Sequence, residues 1–180
     1  MYKNLRKLWR DKTGLAAVEF AFIAPLMILL YLGVVELSDA MIANRKLTTA
    51  TSTMADLVAQ GLTIDDDEMS DILLSAQAIM APYAAADMQI RVTSVNVNLD
   101  GTTVVGWSDA VNMSPLSTGG AYTLPGDIGQ PGGSIIVSEA TFTHEAMTVA
   151  GNMVFGPTIT FSDNFYLEPR RTLRVTRDTN

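Results

Sequence analysis

Cysteine is absent from the 180 residues. That excludes a disulfide scaffold, a cysteine-ligated zinc site, an iron–sulfur cluster and thiol catalysis. An oxidising compartment stays open, because a domain of this size builds a core without covalent staples. Histidine occurs once, so no multi-histidine metal centre can form within one protomer. Charge is also scarce, at 17% of residues, where a soluble domain typically carries ~25%. The charges present are unevenly placed. Residues 1–14 hold five basic side chains against one acid, a net +4, and residues 15–180 hold seven against eighteen, a net −11. An acidic body without a basic stripe argues against nucleic-acid binding.

What the chain has instead is a long apolar run. From Leu15 to Val35 it reads LAAVEFAFIAPLMILLYLGVV, with Glu19 as its one charge. About 20 helical residues cross ~30 Å of hydrocarbon, so one span fits. A secretory signal usually has a shorter apolar core, of about 7–15 residues. Ser38-Asp39-Ala40 is also a poor small-x-small cleavage site. The basic residues ahead of the run put the N-terminus in the cytoplasm by the positive-inside rule. Pro25 lacks an N–H and should kink or loosen the span. The expected layout is a basic leader at 1–14, a transmembrane helix at 15–37, and an extracytoplasmic head at 38–180. Such a protein would sit in the inner, cytoplasmic membrane with its head periplasmic or extracellular.

Glu19 asks for explanation. A carboxylate close to the bilayer core is costly and marks a function or a specific partner unless it reaches interfacial water. No lysine or arginine lies within the run. A new N-terminal amine, made by cutting just upstream, would supply the cation. The residues around it, RDKTGLAAVEFAFIAPLMILLYLGVVE, have that arrangement: a basic leader ending in Gly14, then Glu19 as the fifth residue of the new chain. This segment resembles the cleavage site of type IV prepilins, and in detail the start of TadE-like pseudopilins of the tight-adherence (Flp) pilus system. The resemblance implies a prepilin peptidase as partner, cleavage between Gly14 and Leu15, and Glu19 pairing with the new amine during assembly. It also implies contacts with membrane lipid, a pilus-assembly platform, and other pseudopilins or pilin. Leu15 departs from the phenylalanine that type IV pilins usually carry there, which bears on N-methylation more than on cleavage. A glycine also has its own physical reason at a scissile bond, since no Cβ obstructs an approaching peptidase.

The helix should continue past the membrane. Leu37, Met41, Leu47, Ala50, Met54 and Leu57 recur at helical spacings, and Gly61 follows as a C-cap. Leu47, Met54 and Leu57 are expected to bury against a sheet. The acidic run Asp65-Asp66-Asp67-Glu68 suits the first turn of a second helix ending at Pro82. It lacks the glycine and distal glutamate of an EF-hand. Period-two segments follow: Ile90 to Val97, with a phase slip at Val95 that suggests a bulge, and Thr103 to Trp107 across an Asp100-Gly101 turn. More strands are expected at 134–143, 158–166 and 172–176. Residues 114–133 hold three prolines and six glycines and form a long loop. The fold class is α+β, a long helix on an antiparallel sheet with a second short helix.

No catalytic motif completes itself. His144-Glu145 opens like HExxH but has no second histidine, so His144 is expected at a strand end on the surface. The glycines at 126–133 lack the GK[ST] of a phosphate loop, and no GxSxG occurs. Glu36 and Asp39 are expected at the outer membrane interface. Arg170, Arg171, Arg174 and Arg177 form a basic tail that either pairs with acidic surface or lies in solvent, and solvent is favoured because exposed pairs are worth little. Neither a metal nor an organic cofactor has a motif, and the chain is not expected to be an enzyme. The competing function is an uncut single-pass membrane protein with an extracytoplasmic binding head.

Overall fold

The computed structural model describes residues 14–126 and 128–179. The basic leader, apart from Gly14, lies outside the described residues. Among the described residues the first element is helix α1, Leu15–Gln60, with Pro25 inside it. It is followed by β1 (Thr63–Ile64), α2 (Asp66–Ile79), β2 (Met88–Val97), β3 (Thr103–Val111), β4 (Ser134–Glu145), α3 (Val149–Phe155), β5 (Thr158–Leu167) and β6 (Thr176–Arg177). The chain divides into two units. One comprises the N-terminal part of α1 through Asp39 together with Ala146–Pro157. The other comprises Ala40–Glu145 and Thr158–Asn180.

The second unit is α+β. Its four-stranded sheet has the order β3-β2-β4-β5, every neighbour antiparallel. A separate parallel pair joins β1 to β6. The main core lies between one face of the sheet and two helices. Ala43, Leu47, Ala50, Met54 and Val58 come from α1, and Met69, Ile72, Leu73 and Ala76 from α2. They meet Ile90 and Val92 of β2 and Ile136, Ala140 and Phe142 of β4. The Ser138 hydroxyl also donates to the Thr51 carbonyl at 2.7 Å, which pins helix to sheet.

Leu47 and Met54 are fully buried as their spacing requires, whereas Leu57, Leu37 and Met41 are exposed. The seam runs 43, 47, 50, 54, 58. Val58 lies eleven residues from Leu47, about 20° away at 100° per residue, while Leu57 falls about 80° off.

The phase slip in β2 also has a different cause. Ile90 and Val92 face the helices, and Val95 and Val97 face the opposite side without breaking alternation. That side has its own small core of Val95, Val97, Ile135, Val137 and Leu124. The bulge is on β3: Ser94 pairs with Trp107 and Val95 with Val105, so Gly106 is the extra residue. A Cβ there would crowd the Asn96 amide and the Ser94 carbonyl.

The proline- and glycine-rich loop before β4 closes that second face. Gly119 and Gly120 exchange backbone hydrogen bonds with Val105, and Gly132 and Gly133 with Val97. Leu124 is buried between them. The acidic run forms a capping box, with Glu68 N–H donating to Asp65 at 2.8 Å and Asp65 N–H to Glu68 at 3.3 Å.

Three of the four tail arginines make specific contacts, and Arg171 is exposed. Arg177 donates to Asp109 at 3.0 Å and to Asp66 at 2.6 Å, and its guanidinium is held above its ordinary pKa, chiefly by the Asp109 hydrogen bond. Arg170 pairs with Asp56, and Arg174 donates to the Gly132 carbonyl at 2.9 Å. A two-residue strand, β6, sets this register, with Trp107 Nε1–H donating to the Val175 carbonyl at 2.8 Å.

Candidate functional site

The first unit contains the residues that the sequence marks. Gly14 forms a turn and Leu15 opens α1. The Gly14 carbonyl accepts the Val18 N–H at 3.1 Å, the first i to i−4 bond of the helix. Both residues that flank the marked peptide bond are exposed. Among the described residues, no atom lies within 4 Å of where a Gly14 Cβ would stand. Its φ also lies outside the left-handed region. The fold therefore makes no demand for glycine at this position.

Glu19 lies on the same helix, one turn beyond Leu15, and is exposed. Its neighbours are exposed too: Phe20, Phe22, Ile23, Leu26, Met27 and Ile28 present their side chains outward. Among the described residues one helix is long and apolar enough to cross a membrane. Its most apolar stretch has a mean hydropathy of 2.3 and none of it is buried within the chain. An apolar stretch with no residue buried by the described part of the chain needs an apolar surrounding.

Residues 14–56 match the model of the TadE-like protein family. The match takes in Gly14, Leu15, Glu19, the whole apolar run and most of the remainder of α1. The sheet and everything after it lie beyond the matched segment. No curated protein and no solved structure matches the chain.

A second cluster in this unit was not visible in the sequence. Glu36 is 1% exposed. Its Oε1 accepts the Met147 N–H at 2.9 Å, and its Oε2 accepts the Thr148 N–H and hydroxyl, each at 3.0 Å. Thr148 is the N-cap of α3, its Oγ1 accepting the Gly151 N–H at 2.8 Å. A Cβ on Gly151 would overlap the Glu36 carboxylate. Only glycine lets the short helix sit this close. The partners are over a hundred residues apart in sequence, so no local pattern could announce them. The usable signal was weaker: a second carboxylate directly at the end of the apolar run.

His144 is a correction. It is 3% exposed rather than on the surface. It belongs to the second unit, where its ring stands edge-on to Tyr83 at 6.0 Å and tilted against Phe142 at 6.5 Å. As the last inward residue of β4 before Glu145, it fills an aromatic corner.

Proposed function

We propose that this chain is a pseudopilin-like assembly protein of a tight-adherence (Flp-type) pilus. It inserts once into the inner membrane with its N-terminus in the cytoplasm and its head periplasmic or extracellular. A prepilin peptidase trims it after Gly14, and its apolar helix then packs with the assembly platform, with other pseudopilins or with pilin. The role is structural rather than enzymatic.

The observation that carries this reading is the exposed Gly14–Leu15 bond at the start of an apolar run with no buried residue, with Glu19 one turn further on, inside the TadE-like match. A glycine that the fold does not need suits a demand from outside the fold, such as a peptidase that must reach the carbonyl. Glu19, exposed among apolar side chains, suits a partner that brings a cation to the same depth. After cleavage that cation is the Leu15 amine of the same or a neighbouring chain. Pairing in low dielectric would then set axial register between helices.

Intact-mass analysis of membrane-purified protein tests the first step. The expected mass is that of 166 residues, 180 less the 14 of the leader. Gly14→Val places a branched Cβ at the bond and should leave all 180 residues in a membrane-inserted chain. A full-length wild-type mass in a host with an active prepilin peptidase would favour the uncut single-pass protein with a binding head.

A further inference from the structure

We infer that the segment Ala146–Pro157 is a second, interfacial membrane contact, held at the end of the apolar helix by Glu36. The ligand is a lipid surface, specifically the boundary between headgroups and acyl chains in the leaflet where the apolar run ends. This rests on the reading of Leu15–Val35 as a span.

The packing of the segment is inverted relative to a water-facing helix. Its small residues, Ala150 and Gly151, are the buried ones. Its large apolar residues point outward: Val149 is 80% exposed and Met153 76%, with Met147, Val154 and Phe155 exposed beside them. No charged side chain occurs between Ala146 and Pro157. A water-facing loop of this length would normally carry charge or turn its large residues inward. Scattered exposed apolar residues need no explanation, but five within nine residues on one short element do.

The position of the segment selects the occupant. The apolar run ends at Val35, so its next residue, Glu36, marks the hydrocarbon boundary of a helix that spans ~30 Å in ~20 residues. Three hydrogen bonds from Met147 and Thr148 fix the segment to that residue. The segment is thus attached directly after the apolar run, with its large apolar residues outward. The backbone is also prepared for a dry setting. Asn152 N–H donates to Thr148, Gly156 N–H to Asn152 and Ala146 N–H to Pro157, at 2.9–3.0 Å. Internal satisfaction of this kind is what lets a short helix lie in an interface.

Because the chain has no cysteine, one introduced thiol gives one label. Full-length protein carrying a nitroxide at Met153→Cys, Ile28→Cys or Leu99→Cys would be reconstituted into vesicles of phosphatidylcholine and phosphatidylglycerol. Collision with oxygen, which partitions into lipid, is compared with collision with a water-soluble nickel chelate. Leu99 is 86% exposed in a turn of the other unit and serves as the aqueous reference. The expected result is a several-fold oxygen preference at Ile28, a smaller but clear one at Met153, and a nickel preference at Leu99. Nickel access at Met153 equal to Leu99, with Ile28 still in lipid, overturns the inference and leaves the span intact. Shielding of Met153 from both reagents means that protein covers the face, and also overturns it. Nickel access at Ile28 removes the span, and the inference with it. Glu36→Ala in the Met153→Cys background should cut the oxygen preference and sharpen the nitroxide spectrum. An unchanged preference would show that Glu36 does not position the segment.

Discussion

Single positions separate what local pattern determines from what packing determines. Met54 is fully buried, enclosed by α2 and the sheet. Met54→Asp puts an unpaired carboxylate there and should destabilise the protein by on the order of several kcal/mol. In detergent-solubilised full-length protein this should appear as rapid trypsin cleavage of the head, and wild-type resistance would contradict the packing of α1 on the sheet. The burial of Leu47 and Met54 was legible because they repeat at helical spacing. Leu57 was misplaced because one residue of phase is 100° of helix, and apolar identity alone does not choose between Leu57 and Val58. His144 continues the inward alternation of Ala140 and Phe142 and was misplaced because the expected strand stopped at 143. Glu36 was beyond any such pattern, because its partners Met147 and Thr148 are distant in sequence.

Among the elements, α1, α2 and the four long strands were legible because each carries its own period and its own stop signal. The exceptions are α3, whose seven residues span too few turns to show a period, and the two-residue pair β1–β6, of which β6 forms at Thr176–Arg177 rather than across 172–176. The loop before β4 was unreadable for another reason. Its glycines and prolines signal turns, not the fact that Tyr122 and Leu124 roof the second face of the sheet. Burial there, aided by the nearby Glu139 charge and by Tyr166, pushes the Tyr122 phenol well above its ordinary pKa. Above about pH 10 the unfolded chain therefore loses a proton that the folded chain keeps, so unfolding gains and stability falls as pH rises. Melting temperatures measured between about pH 9 and 11 should decline less steeply in Tyr122→Phe than in wild type. Parallel curves would mean that the loop leaves Tyr122 in water.

For the whole molecule, the proposed role divides into insertion, trimming and assembly, and Glu19→Ala should separate them. Removing a charge makes the span more apolar, so the variant should be present in the membrane and largely trimmed. It should nevertheless fail to co-purify with pilus-assembly components. Normal piliation with normal co-purification would reduce Glu19 to an interfacial carboxylate. The bond between Gly14 and Val18 adds a kinetic condition to the trimming step. The carbonyl of the marked peptide bond is already engaged as the first acceptor of the helix. A protease needs an extended substrate, so processing would wait on fraying of that turn. Trimming speed would then track the opening equilibrium of residues 15–18 as well as peptidase affinity. Replacements there that strengthen the first turn should slow maturation without touching the glycine or the glutamate.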